Sequence, residues 1–151
     1  MSLTVSQFRE KFRVDDLLVF RNDGWSVSIR PKAPTLGACV ISANHHRESL
    51  GAISASESAD LVDAVAWFEG RLREAFDASR FNYLALMMVD PLLHFHALPR
   101  YDSDRTFGHM TWHDPAWPMP PDLNLDQSNG DILVHVRERL AAEPRLGSAH
   151  R

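Results

Sequence analysis

Apolar and polar positions follow two periods along this chain, and the switches between them mark out the elements. Val5, Phe8 and Phe12 recur at helical spacing with polar residues between, and Asp15-Asp16 close that first helix. Leu17-Leu18-Val19-Phe20 and Trp25-Ser26-Val27-Ser28-Ile29 flank an Asn22-Asp23-Gly24 turn, which predicts a β-hairpin. Pro31 and Pro34 make Arg30 to Thr35 a loop. Ala38 to Ser42 reads as a third strand, and Asn44 to Ser49 as a polar connection. Ser54 and Glu57 have the spacing of a capping box, in which each side chain satisfies a free backbone donor. Leu61, Val65, Phe68, Leu72 and Phe76 then form one stripe, the core face of a long amphipathic helix that ends at Asp77 to Arg80. Phe81 to Val89 is apolar and predicts a strand, Asp90-Pro91 a turn, and Leu92 to Leu98 another strand stopped by Pro99.

Beyond Arg100 the pattern changes. Tyr101 to Asn124 holds Trp112, Trp117, Pro115, Pro118, Pro120 and Pro121. That proline density predicts an arm without regular structure, and its tryptophans require it to pack on the body or on a second subunit. Ser128 with Asp131, followed by Ile132, Val136 and Leu140, predicts a last helix, and Glu143 to Arg151 a frayed tail.

Composition narrows the function classes. The length of 151 residues suits one domain, and 44% hydrophobic and 24% charged residues suit a soluble one. A net charge of -4 offers no basic face for nucleic acid, whereas a small nucleotide needs only a few local donors. The single cysteine, Cys39, rules out an internal disulfide. The absence of an apolar run of ~18 residues, or of a signal pattern, gives no membrane partner and a cytoplasmic expectation.

The eight histidines matter by placement. In a strand from Leu92 to Leu98, Leu93, Phe95 and Ala97 share the face that suits the long helix. Leu92, His94, His96 and Leu98 share the other, so two imidazoles project together, about 7 Å apart along the strand. Three chemistries fit. The rings can sit on a half-exposed sheet face and bond to water or carbonyls. They can be two metal ligands, with a third from His45, His46, His109 or His113, although zinc generally needs at least three protein ligands. Or they can carry phosphoryl chemistry, because neutral imidazole is nucleophilic and a neighbouring ring can donate a hydrogen bond to phosphate.

The stretch Leu92-Leu93-His94-Phe95-His96-Ala97-Leu98-Pro99-Arg100 resembles the motif of the histidine-triad (HIT) hydrolases and nucleotidyl transferases. The resemblance runs from about Leu17 to Tyr101 and includes the Pro31-Lys32-Ala33-Pro34-Thr35 loop. The Met88-Val89-Asp90-Pro91 lead-in and the tryptophan-proline arm look like a diadenosine-tetraphosphate-hydrolase-like bacterial branch. It implies an α+β fold with about five mainly antiparallel strands, one long helix across the sheet and short terminal helices. A single domain spanning 1–151 is expected, with its core at about 15–101, the arm at 102–126 and the last helix at about 129–142. It implies a nucleotide phosphoanhydride or phosphoramidate hydrolase, or a nucleotidyl transferase, without metal or other cofactor, acting as a homodimer. His94 falls on the nucleophile and His96 on the third histidine, which assists at the phosphate and leaving group. Leu92 falls on the first histidine, and its side chain cannot join the network that orients the nucleophile. Met87, Met88 and Val89 stand where a small or polar residue often binds phosphate. Asn82 (phosphate or a local cap), Ser28 (ribose or a solvent-facing serine), Arg100 (charge near the motif, or a pair with Asp102 or Asp104) and Trp112 are the further substrate-binding candidates. His109, His113 and Trp117 are expected to stack on a base with Trp112, or simply to pack in the arm. The rival is a nucleotide-binding or interaction module that keeps the fold with a degenerate triad.

Overall fold

Thr4 and Gln7 open helix α1 (Val5–Lys11) with a reciprocal capping box, and Phe12 closes it, in a computed structural model that describes residues 4–142. Strands β1 (Leu18–Arg21) and β2 (Trp25–Ile29) form the hairpin, with both Gly24 and Trp25 N–H groups donating to the Asn22 side chain. Strand β3 is Cys39–Ala43, one residue later than expected. Gly37, just before it, has φ +82°, and any side chain there would run into Leu72 of the helix above.

Helix α2 (Ala55–Phe76) starts as its sequence dictates. The Ser54 hydroxyl accepts from the Glu57 N–H at 3.1 Å, and the Glu57 carboxylate accepts from the Ser54 N–H at 2.9 Å. Strands β4 (Arg80–Leu84) and β5 (His94–Arg100) complete a sheet in the order β1-β2-β3-β5-β4, antiparallel throughout. This is the expected α+β architecture of five strands with one long helix across them.

The pleat decides the two faces. Trp25, Val27, Ile41, Phe95 and Ala97 occupy one face by register. There the Phe95 ring lies 6.0 Å from Trp25, whose indole donates to the Glu57 carbonyl of α2 at 2.8 Å, and Phe68 of α2 meets Phe81 at 5.5 Å. The other face carries Ser26, Ser28, Ser42, His94 and His96, yet it too is covered, by Phe8 and Phe12. A polar alternation here does not mean solvent.

Four expectations need correction. Strand β4 ends at Leu84, not Val89, because Leu84 pairs with His96 and the chain must reverse between them. Strand β5 begins at His94 and runs through Pro99, which lies past Ala97, the last residue to pair with β3, so only β4 flanks it and a missing N–H is tolerated. The arm is not without regular structure. A second hairpin, β6 (Arg105–Phe107) and β7 (Met110–Trp112), turns at Gly108 and His109, both at positive φ, the backbone a two-residue turn requires. The last helix, α3, spans Ile132–Ala141, and Ser128 caps nothing in it because its hydroxyl donates to Asp126. The expected frayed tail, 143–151, lies outside the described residues.

The arm is held by charge as well as by packing. Arg100 makes a two-pronged pair with Asp114 at 2.8 and 2.9 Å and donates to the Asn82 side chain and the Met119 carbonyl. Asp114 also accepts from the Tyr101 N–H. Arg100 thus pairs with Asp114 rather than with Asp102 or Asp104.

Candidate functional site

Cross-strand register sets the two histidines. Val40 of β3 faces His96 and Ser42 faces His94, so both imidazoles rise from one face of the sheet. Their ring centres lie 5.1 Å apart at 84°. His94 is 1% exposed and His96 7%, which excludes a half-exposed sheet face. Phe8 and Phe12 approach the His94 ring at 5.0 and 5.9 Å.

Hydrogen bonds assign the protons. His94 Nδ1 lies 2.6 Å from the Leu92 carbonyl oxygen, which can only accept, so Nδ1 carries the hydrogen and Nε2 the lone pair. His96 Nδ1 lies 3.1 Å from Arg30 Nε, which can only donate, so the proton of His96 sits on Nε2. The pair is therefore one nucleophilic nitrogen beside one N–H donor. The Leu92 side chain is buried and takes no part in this bond; the partner of the His94 ring is the Leu92 backbone carbonyl.

Both rings are held neutral. Burial is the main cause of a lowered His94 pKa, opposed by the Leu92 bond and Asp90. Burial, then Arg30 and His94, push His96 down to about 4, against a weaker upward pull from Asp90. In the unfolded chain His96 titrates near 6.5, so the folded state binds fewer protons between the two values. Its stabilising contribution is complete above pH 6.5 and is lost as pH falls toward about 4. We expect unfolding free energy, measured in urea across that window, to drop by on the order of 3 kcal/mol from this group, and His96→Leu to flatten the drop. An unchanged acid slope in the variant would show that His96 is not the group responsible.

A cleft of about 590 Å³ opens over the pair, a size that admits a nucleotide. Lys11, Phe12, Arg30, Lys32 and Asp90 line it with the two histidines, and Leu86, Met88, Val89 and Leu123 add an apolar wall. Lys11 reaches across to Asp90 at 2.6 Å, joining α1 to the β4–β5 loop. A larger concavity of about 720 Å³ along α1 is lined by no imidazole among the described residues, and four of its charges pair with one another, Arg9 with Asp15 and Arg13 with Asp16.

Ser28, Asn82, Arg100 and Trp112 are not among the described residues that line the histidine cleft. Ser28 shares the His96 row through Val40, but it is fully buried rather than solvent-facing, and its hydroxyl, like that of Ser42, has no partner among the described residues. The Asn82 side-chain oxygen accepts from Arg100 at 2.6 Å, and its amide donates locally to the Phe81 carbonyl at 3.2 Å. Trp112 is buried with its indole donating to the Phe107 carbonyl. His109 sits in the β6–β7 turn beside His135, His113 pairs with Asp104, and His46 with Glu48. Among the described residues no group of three or more His, Cys, Asp or Glu is placed to hold a metal ion, so the pair finds no third ligand.

Sequence reasoning missed Arg30, Lys11, Phe12 and Asp90. Arg30 carried a signal, since the alternation Ser26, Ser28, Arg30 continues the histidine face by one step. Lys11 and Phe12 carried none, because only tertiary packing brings α1 to the cleft.

No protein-family model and no curated protein sequence matches the chain. Solved structures do. A HIT-like protein involved in cell-cycle regulation from Bartonella henselae aligns with TM-score 0.65 at 14% identity, covering 89% of this chain and 92% of that one. A histidine triad protein from Sinorhizobium meliloti gives TM-score 0.64 at 14% identity, covering 85% and 90%. A hypothetical histidine triad nucleotide-binding protein from Sulfolobus tokodaii gives 0.63 at 15% identity, covering 83% and 80%. The chain has the fold of these histidine-triad proteins.

Proposed function

We propose that this protein hydrolyses or transfers nucleotides at a phosphoanhydride or phosphoramidate bond, through a nucleotidylated His94. The observation that carries it is the complementary protonation of the pair, a lone pair left on His94 and an N–H left on His96, on two rings 5.1 Å apart that line one cleft. In the first step His94 Nε2 attacks the α-phosphorus, a P–N bond forms, and the bond to the leaving group breaks with its electron pair. His96 donates a hydrogen bond to the phosphate or the departing atom. In the second step water attacks phosphorus, the P–N bond breaks, nucleoside monophosphate leaves, and the water's proton passes to solvent. A neutral His96 is a weak acid, so leaving groups that depart as stable anions suit the site best. Phosphoanhydrides meet that condition better than phosphoramidates, whose amine must gain a proton.

In this scheme Leu92 stands in place of the first triad histidine, with its carbonyl keeping the orienting role. The Met88-Val89-Asp90-Pro91 lead-in and the tryptophan-proline arm support the diadenosine-tetraphosphate-hydrolase-like branch, and the resemblance supports a cytoplasmic homodimer. Of the four further candidates, Ser28 keeps a place next to the substrate row, while Asn82, Arg100 and Trp112 hold the arm. The missing first imidazole of the triad, at position 92, favours a second reading, a module that binds nucleotide without turning it over.

A panel of dinucleoside polyphosphates and nucleoside phosphoramidates separates these. We expect anhydride hydrolysis by the native protein, reduced roughly 10²–10⁴-fold in His96→Gln. Binding of adenosine monophosphate without turnover of any panel member would establish the module instead. Neither binding nor turnover would exclude both.

A further inference from the structure

Arg30 enters the cleft without a carboxylate partner among the described residues. Its Nε is spent on His96 and one terminal nitrogen on the Lys32 carbonyl at 2.9 Å. No described carboxylate lies within ion-pair distance of it, although Arg9, Lys11, Arg13 and Arg100 each have one. The acidic group that most affects it is Asp126, whose oxygen already accepts from the Ala33 N–H, the Ser128 N–H and the Ser128 hydroxyl. Burial disfavours the Arg30 charge, as expected of a cation taken from water without a counter-ion. A guanidinium has five N–H donors in a planar fork, and the edge that remains suits two oxygens of a phosphate.

We infer that Arg30 is both the anion anchor and a positioning residue of this site: its free edge binds the phosphate that His94 attacks, and its Nε keeps the proton of His96 on Nε2. The inference deepens the phosphoryl chemistry proposed above and rests on it. It explains why a cation stands next to an imidazole, an arrangement that opposes protonation of His96. The cation holds the ring as a neutral donor aimed at an anion, and a bound phosphate supplies the missing counter-charge.

The test combines long-range ¹H–¹⁵N spectra of the imidazoles with calorimetric titrations of pyrophosphate and of adenosine monophosphate, on the native protein, Arg30→Met and Arg30→Lys. We expect the native spectra to show His96 protonated at Nε2 alone. Arg30→Met should lose roughly 10–100-fold in affinity for both probes and show both His96 tautomers. Arg30→Lys keeps the charge and the fold while losing the planar fork, so affinity should partly return without the single tautomer. If Arg30→Met and Arg30→Lys bind both probes as the native protein does and keep the native His96 tautomer, the inference is overturned. Absence of pyrophosphate and monophosphate binding to the native protein overturns it equally. Pyrophosphate bound through Arg30 with no nucleotide ever carried on His94 would keep the anchor and remove nucleotidyl transfer. Equal nucleotidylation of His94 in Arg30→Met would do the reverse.

Discussion

His94→Ala is expected to lower hydrolysis of the best anhydride substrate by more than about 10⁴-fold, while adenosine monophosphate still binds. Alanine offers no nitrogen to phosphorus, so the double displacement loses its intermediate. Arg30 and His96 remain to hold the phosphate, and their residual electrostatic assistance to direct attack by water sets the floor. The ring that is lost is also a packing element, 1% exposed and in contact with Phe8 and Phe12, so melting must be followed in parallel. A folded His94→Ala protein with native turnover would place the chemistry elsewhere.

Asp114→Ala is expected to destabilise the protein by about 3–5 kcal/mol in denaturant unfolding. The Arg100 and Asp114 side chains are 3% and 2% exposed, so water cannot take over for the missing partner. Arg100 would be left buried with only the Asn82 oxygen and the Met119 carbonyl, and the Tyr101 N–H would lose its acceptor too. Restoring balance by Arg100→Met with Asp114→Leu should recover much of the loss, because an apolar pair removes the uncompensated charge. A cost below about 1 kcal/mol for Asp114→Ala would mean that the pair behaves as a solvent-screened one.

Local signals in the sequence were reliable where one short segment settles its own structure. Ser54 and Glu57 mark the start of α2 because a capping box needs only neighbours in sequence. The period-two pattern around His94 and His96 was equally legible, because alternation follows from the pleat alone. Pairing was not legible. Leu86, Met88 and Val89 look like a strand, but among the described residues no partner strand runs beside them, and they are 44%, 85% and 82% exposed at the cleft mouth. The prolines after Trp112 hid the Gly108–His109 turn just before them. The distribution of protons in the site was hidden too, because it depends on a backbone carbonyl at Leu92 and on Arg30, which is 66 residues from its partner His96.

Nucleotidylation of His94 is tested most directly by rapid-quench trapping with an α-phosphate-labelled dinucleoside polyphosphate. Quenching in alkali preserves a phosphoramidate, and peptide mapping then locates it. One labelled nucleotide on the His94 peptide, lost on acid treatment and absent from His94→Ala, is the expected result. Hydrolysis that proceeds with no adduct at any time, or an adduct that survives in His94→Ala, would contradict a covalent route through this imidazole.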